Sequence, residues 1–456
     1  MTSHDPFVHL HVHTDYSALD GASRIGELVQ RVVEIGQPGV AITDHGNTQG
    51  AYELWKTATE AGINPIIGQE FYVAPGGTSR HGRERVFFGH TQGEDKLERS
   101  NDVSGGGSYT HMTIWAENTR GMHNLFKMSS YAFLEGRFGT NQAPRIDDDL
   151  LAEHSKGIIA TTGCPSGEVQ TRLRLGQYDE AIAYAAKMQD ILGKENYYCE
   201  LMDHGLSIER RVRESLLKLA RDLNIPLVAT NDTHYTRRDE AVVQDHMLCI
   251  QTGSNIDDEK RFRFDGDGYY IKTAAEMREL FKDLPEACDN TLEIAERCKV
   301  NFAEGIDLMP KFDVPEGETE ASFLEKEVIR LLPERVPGWE DMDEEKQKEY
   351  EERGRYECSI IDQMGFPSYF LVVGDFVQWA KDNGIAVGPG RGCLAGDSPI
   401  ETTTGTKLIK DIVAGDKVYD ENGRAVEVPM TFDYDVDETL LEIAPTAGHP
   451  IKMTHD

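Results

Sequence analysis

Three histidines alternate along one short segment near the amino terminus: His9, His11 and His13. In an extended strand, side chains two residues apart point to the same side, so two of these imidazoles can reach one metal ion. All three share that parity, so parity alone does not choose the pair. A single histidine is more often a structural group than a ligand, but three within five residues favour a metal site.

Other ligand-type side chains come where further apolar runs begin or end. They are Asp44, His45, Glu70, His111, Cys164, Asp232 and His234. If the runs are strands of a barrel, their carboxyl ends share one face and these groups converge there. A mixed set of nitrogen, oxygen and sulfur donors favours zinc or manganese over magnesium alone. Two or three such ions suit the hydrolysis of phosphate esters, because they generate hydroxide and stabilise the attacking and leaving oxygens.

The elements that must position these groups are short strands alternating with helices. Apolar runs occupy residues 7–13, 38–44, 65–72, 111–116, 157–162, 198–202 and 226–230. Amphipathic stretches at 24–36, 49–61, 177–192 and 207–223 have apolar residues at helical spacing. This alternation predicts parallel strands with right-handed crossovers, and seven runs favour a barrel over an open sheet. Residues 75–108 are rich in glycine and predict a long loop or hairpin excursion.

The second half of the chain has a different character. Residues 285–355 are helical in pattern and charged, and 341–355 predict a solvated helix face. Residues 356–392 are apolar again and end in a glycine-rich stretch, 388–392. After Cys393, short alternating runs of Val, Ile and Thr with turn pairs predict an all-β module.

The composition excludes several classes of protein. The 456 residues contain 80 Asp and Glu against 47 Lys and Arg, a net charge of −33, and no block is basic, so we expect the main nucleic-acid-binding surface elsewhere. No run approaches the ~18–20 apolar residues of a membrane span, and the first residues lack the features of a signal peptide. Seven cysteines without a CxxC pair favour reduced thiols, so we expect a cytoplasmic protein.

Six motifs, in order along the chain, resemble those of a PHP (polymerase and histidinol phosphatase) domain, and more narrowly the PHP domain of bacterial C-family replicative DNA polymerases. They lie at residues 11–13, 43–46, 68–70, 109–111, 162–168 and 231–235. The resemblance covers about 1–392 and implies an α/β fold, a distorted (β/α)7 barrel with up to three metal ions.

The resemblance also implies three sets of ligands. One ion would be held by His11, His13, Glu70 and Asp232; a second by Glu70, His111 and Cys164; a third by Asp20, His45 and His234. All nine positions carry ligand-type residues in this chain. We therefore expect Zn²⁺ or Mn²⁺ in the domain and a 3′–5′ exonuclease that proofreads DNA.

Residues 356–392 resemble the opening of the palm of the same polymerases. In that context the loop at 388–392 would bind the triphosphate of an incoming dNTP through backbone amides, including that of Gly390, and through Arg391. The palm carboxylates that hold Mg²⁺ do not follow, so we expect no polymerisation by this chain alone. The sliding clamp and other replisome subunits are expected to bind through the remainder of the polymerase.

The segment that begins at Cys393 resembles the first block of an intein, and residues 446–449 resemble its T-x-x-H block. The Cys393 thiol would attack the carbonyl of Gly392 and convert the amide to a thioester, the first step of protein splicing. His449 would act as general acid, with Thr446 assisting. The later intein blocks do not follow, so we expect a split intein whose other half, with the rest of the polymerase, is a second chain; an incomplete record is the alternative.

These observations predict three domains: a PHP phosphoesterase domain at 1–285, the start of a palm at 286–392, and a Hint-type intein fragment, all β, at 393–456. Two other functions stay open. A stand-alone PHP phosphoesterase acting on small phosphates would not need residues 285–392. A non-catalytic PHP scaffold is distinguished from both enzymes by metal analysis.

Overall fold

The computed structural model describes residues 6–89, 104–306, 308–387, 399–413, 415–419, 425–428, 441–443 and 451–453. The chain divides into two compact units, 1–304 and 305–456. The first unit therefore ends later than the predicted boundary at 285, and the division by function stays a prediction. Six predicted site residues lie outside the described residues: Gly390, Arg391, Gly392, Cys393, Thr446 and His449.

The first unit is built on one mixed sheet. Its strands are β1 (Gly39–Ile42), β2 (Asn64–Val73), β3 (Thr110–Ala116), β4 (Arg137–Phe138), β5 (Ala143–Ile146), β6 (Ile158–Thr161), β7 (Tyr197–Leu201) and β8 (Leu227–Ala229). The spatial order is β4-β5-β2-β3-β6-β7-β8, and β1 pairs with β2. Strands β1, β5, β6 and β7 are buried along their whole length, as expected of strands covered on both faces.

Two strands correct the prediction of an all-parallel sheet: the short edge strand β4, which is antiparallel to β5, and the central strand β3. Strand β3 is antiparallel to both of its neighbours, β2 and β6, whereas β1–β2, β2–β5, β6–β7 and β7–β8 are parallel. The reason is the connection that precedes β3. Strand β3 begins at the edge of the sheet where β2 ends, since Val73 pairs with Thr110, and an antiparallel neighbour needs no crossover to the opposite edge.

The segment at 7–13 forms isolated bridges rather than a regular strand. His9 is bridged to Val40 in β1, and Val12 is bridged to Thr233, which follows β8. Backbone hydrogen bonds support both bridges: the amide of Ala41 donates to His9, and the amide of His13 donates to Thr233. This segment therefore lies between β1 and the end of β8, two strands that do not pair with each other.

Helices cover the sheet, and their apolar residues face it. They are α1 (Ile25–Glu34), α2 (Ala51–Glu60), α3 (Ser104–Gly107), α4 (Thr119–Glu135), α5 (Asp148–Glu153), α6 (Glu168–Arg174), α7 (Tyr178–Leu192), α8 (Ser207–Leu223), α9 (Ala241–Thr252), α10 (Ala274–Leu280) and α11 (Pro285–Arg297). In α8, Val212, Leu216 and Leu219 are buried at helical spacing. Asn118 caps α4 by accepting from the amide of Gly121.

A smaller buried cluster lies on the other side of the strands. It gathers apolar side chains from 7–13, from β1, β2, β3, β6, β7 and β8, and from the end of α11, including Leu10, Trp115 and Ile294. The indole of Trp115 donates to the carbonyl of Leu10 at 2.7 Å, so its one polar atom is satisfied inside the cluster. The helix α11 thus shares a core with the strands.

The second unit begins with three helices and continues with strands. The helices are α12 (Glu320–Arg335), α13 (Glu344–Gln363) and α14 (Pro367–Asp382). Their shared core contains Leu324, Cys358 and Leu371. The strands are β9 (Pro399–Thr402), β10 (Gly405–Leu408), β11 (Lys417–Tyr419), β12 (Ala425–Glu427), β13 (Leu441–Ile443) and β14 (Ile451–Met453). They pair as an antiparallel sheet in the order β10-β9-β11-β12 and as a separate pair β13–β14.

None of the helices in the described ranges is both long and apolar enough to cross a membrane.

Candidate metal centre

Glu70, near the carboxyl end of β2, lies at the middle of a group of imidazoles. Its Oε2 is 2.7 Å from Nδ1 of His45, and its Oε1 is 3.0 Å from Nδ1 of His111. The Nε2 atoms of His11 and His13 lie 3.5 and 3.7 Å from the same carboxylate. Glu70 is almost completely buried. One buried carboxylate therefore faces four imidazoles, of which those of His45 and His111 are partly exposed to solvent.

The strand that carries His111 explains how it reaches this group. His111 opens β3, whereas Glu70 lies near the end of β2. Because β3 is antiparallel to β2, its first residues lie at the same edge of the sheet as the last residues of β2. The Sγ of Cys164, which follows β6, lies 3.6 Å from Nδ1 of His111. The reversed strand thus brings its ligand-type residue to the common face.

Two aspartates complete the group on its other side. Oδ1 of Asp232 is 3.4 Å from Nε2 of His11 and 3.3 Å from Nε2 of His13. Oδ2 of Asp20 is 2.9 Å from Nε2 of His45 and 3.7 Å from Nε2 of His234. The backbone of Asp232 has a φ of 44°, a left-handed conformation that is uncommon for a residue other than glycine.

The structure brings all nine sequence-predicted residues into one cluster. Within it, three overlapping sets of ligand atoms lie within 4.8 Å of one another: His13, His45 and His234; His11, His13 and Glu70; His45, Glu70 and His111. The close pairs follow the predicted sets in part: Asp232 lies by His11 and His13, Cys164 by His111, and Asp20 by His45 and His234. Glu70, however, also lies 2.7 Å from His45, which the resemblance assigns to a different ion. The assignment of particular ions to particular residues stays a prediction.

For His13 and His234, a hydrogen bond to the ring nitrogen Nδ1 determines that the other nitrogen, Nε2, faces the cluster. The Ser17 hydroxyl donates to Asp44 at 2.7 Å and accepts from the amide of His45, so it can only accept from Nδ1 of His13, 3.1 Å away. Nδ1 of His234 donates to the carbonyl of Asp232 at 2.8 Å. Each ring therefore turns the lone pair of Nε2 toward the cluster, as a metal ligand must.

Buried polar atoms without hydrogen bonds test whether a cation fits. Among the described residues, both carboxylate oxygens of Glu70, Nδ1 of His45 and Nε2 of His234 are buried and have no hydrogen-bond partner. Nδ1 of His45 and Oε2 of Glu70 are close, yet the geometry between them is not that of a hydrogen bond. Buried polar atoms are normally paired, so a shared cation explains why these atoms gather. The donor set fits a divalent metal.

The charges of the cluster conflict when no cation is present. Burial lowers the pKa of His11, but the surrounding carboxylates, Glu200 first, outweigh it and raise this pKa to about 9. Burial and two neighbouring imidazoles lower the pKa of His13 to about 3. Burial and nearby carboxylates raise the pKa of the Cys164 thiol well above its ordinary range. A bound cation removes these conflicts, because it pairs with the carboxylates and favours the thiolate.

Two residues that the sequence analysis gave as possible ligands, His9 and Asp44, do not face the cluster. His9 turns away from the cluster, and its Nε2 lies 2.9 Å from the carbonyl of Lys272; the structure thus chooses His11 and His13 as the pair that parity left open. Asp44 points back to the segment at 14–17, where it accepts from the amide and hydroxyl of Thr14. Asp44 supports the loop that carries Ser17 and faces no other ligand-type side chain of the cluster directly.

Glu200 is a residue that the site analysis from sequence missed. It lies within β7, is fully buried, and its Oε1 is 2.7 Å from Nδ1 of His11. The available signal was a single acidic residue inside an otherwise apolar strand, Tyr197–Leu201. Such a carboxylate needs a buried partner, and a nearby predicted ligand is a natural one.

Two models of known protein families match this chain, one in each of its two units. Residues 9–204 match the family model described as PHP domain, and residues 322–407 match the model described as bacterial DNA polymerase III alpha NTPase domain. The protein named DNA polymerase III subunit alpha of Mycobacterium tuberculosis is 52% identical over 394 residues, which cover 86% of this chain and 32% of that protein.

Relatives of the same name occur in other bacteria. The protein of Saccharopolyspora erythraea is 51% identical over 399 residues, covering 86% of this chain and 32% of that protein. The protein of Treponema pallidum is 40% identical over 387 residues, covering 85% and 31%. The chain spans about a third of the length of the curated relatives it matches. It carries a PHP-type α/β domain and, over its matched residues, is related to the N-terminal region of the bacterial DNA polymerase III alpha subunit.

Proposed function

We propose that this chain is the N-terminal part of a bacterial replicative DNA polymerase, and that its PHP domain is a metal-dependent 3′–5′ exonuclease that proofreads DNA. The observation that carries the exonuclease is the cluster around Glu70. The nine ligand-type residues are all present and lie together, with their orienting hydrogen bonds in place. A scaffold that had lost catalysis would not need this complete set.

The chemistry divides between the metal ions and the chain. Zn²⁺ or Mn²⁺, when bound, would generate hydroxide from water and stabilise the charge that develops on the phosphate oxygens. His11, His13, Glu70 and Asp232 would hold one ion. The remaining ligand sets, which share Glu70, would hold up to two more. The Ser17 hydroxyl keeps the proton of His13 on Nδ1, so Nε2 stays available as a ligand.

Metal content and nuclease activity test this proposal together. Purified protein should contain Zn²⁺ or Mn²⁺, and should remove a mismatched 3′ end from a primer annealed to a template. Asp232→Asn should lower both, because Asp232 lies beside His11 and His13. Protein without bound metal, or digestion that is unchanged in Asp232→Asn, would contradict the exonuclease.

Polymerase activity would require the loop at 388–392, which lies outside the described residues, and the rest of the palm. The loop that contains Gly390 and Arg391 would bind the triphosphate of a dNTP, and the palm carboxylates of the completed enzyme would hold Mg²⁺. DNA, the sliding clamp and other replisome subunits would be partners of that completed enzyme. The similarity of residues 322–407 to a domain of the polymerase alpha subunit supports this part of the proposal.

We also propose that an intein begins at Cys393 and removes itself by splicing with a second chain. The share of the chain that the relatives match, 86%, leaves a remainder as long as the segment after Gly392, which supports a change of origin near that point. The strands from β9 onward support a β-rich module. The polymerase family model extends to residue 407, past Cys393, so its boundary does not by itself mark the junction.

Splicing has a direct test. This chain is mixed with a chain that carries the C-terminal intein half and the rest of the polymerase. A ligated product that joins Gly392 to the second chain is expected, and Cys393→Ala should abolish it. A polymerase that keeps the junction between Gly392 and Cys393 uncut would contradict the intein.

The strands of the first unit are proposed to close into a distorted (β/α)7 barrel. The support is the segment at 7–13, which is bridged to β1 on one side and to Thr233 after β8 on the other. The small cluster that draws side chains from this segment and from six strands also suits a closed interior.

A further inference from the structure

The Glu200 carboxylate accepts four hydrogen bonds inside the protein. Its Oε1 lies 2.7 Å from Nδ1 of His11 and 2.7 Å from the hydroxyl of Thr230. Its Oε2 accepts from the hydroxyl of Thr161 at 2.6 Å and from that of Thr113 at 3.2 Å. Within the described residues, no lysine or arginine forms an ion pair with it. Three threonine hydroxyls and one imidazole therefore hold a carboxylate that is completely buried.

The direction of these hydrogen bonds is determined by the rest of the network. The hydroxyl oxygen of Thr161 accepts from the amide of Gly163 at 3.0 Å, so its own hydrogen is free for Glu200. A carboxylate accepts at both oxygens and cannot donate. Nδ1 of His11 must therefore be the donor in its contact with Oε1 of Glu200.

This contact decides what His11 presents to the centre. With one proton held on Nδ1, the neutral imidazole that binds a cation has its lone pair on Nε2, the atom that lies 3.1 Å from His13, 3.4 Å from Asp232 and 3.5 Å from Glu70. A carboxylate behind an imidazole also makes the ligand more basic and adds negative charge behind a cation. His13 has a neutral hydroxyl, that of Ser17, in the equivalent position. The two neighbouring ligands are thus supported by groups of different charge.

We propose that Glu200 is a positioning residue that fixes the tautomer and orientation of His11 and thereby sets the affinity of the centre for a divalent cation. This inference rests on the metal centre of the proposed function but does not require nuclease activity. Glu200 itself touches no reacting atom; it acts through His11.

The test replaces one acceptor of the network by a donor. Glu200→Gln keeps nearly the same volume but removes the negative charge and presents an amide NH₂ where an oxygen accepts, so the groups that donate to that oxygen must reorient or lose their acceptor. The matched control is Glu168→Gln. Glu168 is also buried and accepts from the amide of Gly76 and the side chain of Arg172, but it contacts none of the nine predicted ligands directly.

Two measurements on the full chain avoid dependence on activity. The first is the dissociation constant for Zn²⁺ and Mn²⁺ by competition with a chromogenic chelator; we expect Glu200→Gln to weaken binding by about 10–100-fold and Glu168→Gln to leave it unchanged. The second is the ¹H NMR spectrum of the Zn²⁺-loaded protein. A strongly downfield imidazole N–H resonance from His11 should be present in the wild type and in Glu168→Gln, and absent from Glu200→Gln.

Each outcome decides the inference. Equal affinities and an unchanged N–H resonance in Glu200→Gln overturn it. If Glu200→Gln does not fold, Thr230→Val, which removes one donor to Oε1 without touching His11, should weaken metal binding by a smaller factor, and unchanged binding there overturns the inference. A wild type that binds metal but digests no DNA refutes the exonuclease and leaves the role of Glu200 intact. A wild type that binds no divalent cation overturns both.

Discussion

The two oxygens of Glu70 lie 2.7 Å from Nδ1 of His45 and 3.0 Å from Nδ1 of His111, so one carboxylate joins an imidazole that follows β1 to an imidazole of β3. No other carboxylate among the described residues belongs to the three overlapping sets of candidate ligands. A carboxylate in this place can bridge two ions, each from one oxygen.

The bridging position predicts how metal content depends on two different acids. Glu70→Gln should remove more than one ion, because two of the three sets contain Glu70. Asp20→Asn should remove at most one, because Asp20 lies only by His45 and His234. Elemental analysis of the purified variants measures this, with circular dichroism as the control for folding. Equal losses in the two variants would show that Glu70 does not bridge.

The hydroxyl of Ser17 should matter to metal binding although it is no ligand. In Ser17→Ala, Nδ1 of His13 loses its acceptor, and the affinity for Zn²⁺ should fall by about 10-fold or more. Ser23→Ala is a matched control, because the buried hydroxyl of Ser23 has no hydrogen-bond partner among the described residues. Chelator competition compares the two variants. A Ser17→Ala variant with the affinity of Ser23→Ala would contradict the assigned tautomer of His13.

Arg145 should be required for stability. Its buried guanidinium donates to the carbonyls of Ser108, Gly136, Arg80 and Gly82, and thus holds both ends of the excursion at 75–108.

Arg145→Met removes the guanidinium donor from all four carbonyls, although the carbonyl of Gly136 keeps the amide of Arg145 and that of Gly82 keeps the side chain of Arg83. A carbonyl that loses its donor and stays buried costs about 1–3 kcal/mol, so unfolding by urea should show a loss of about 2 kcal/mol or more. Arg137→Met, at an exposed position of β4, is the control and should change the free energy of unfolding by less than about 0.5 kcal/mol. Equal effects of the two substitutions would exclude this role.

Asp147 predicts a dependence of stability on pH. Burial raises the pKa of Asp147, but the amides of Arg80 and Leu150 and the Arg80 guanidinium outweigh it and lower this pKa below its ordinary value. A pKa depressed in the folded state adds stability above the unfolded pKa, which is lost as pH falls through the folded pKa.

Asp147→Asn keeps a residue that can cap α5 but removes the charge. It should therefore be less stable than the wild type at pH 7, by about 1 kcal/mol, and the difference should shrink steadily below pH ~4. Thermal unfolding at a series of pH values measures it. A difference that is independent of pH between 7 and 3 would contradict the role of the charge.

Much of the site could be predicted because its residues interrupt apolar runs. His45, Cys164 and Asp232 each follow such a run, and the structure brings them together. The reversal of β3 was missed, although His111 opens its run instead of following it, which was the available signal. Glu200 was missed because its partners are four residues far away in sequence, and a hydrogen-bond network of that kind has no local pattern.

Sequence parity left the choice of ligands among the first three histidines open, and the structure shows what decides it. A regular strand would turn His9, His11 and His13 to one side, but the segment at 7–13 is tied to different neighbours at its two ends. Val8 and Leu10 belong to the small cluster, whereas Phe7 and Val12 belong to the larger one. The side of the sheet to which alternate side chains point therefore changes between Leu10 and Val12, whereas reasoning from sequence assumes one regular alternation.

The connection between β2 and β3 leaves the sheet and re-enters it at the metal-bearing edge, since the end of β2 pairs with the start of β3. Insertions or deletions in that connection can therefore change the surroundings of the metal-bearing edge without moving any strand. Relatives could thus acquire different substrates over time while inheriting the same ions.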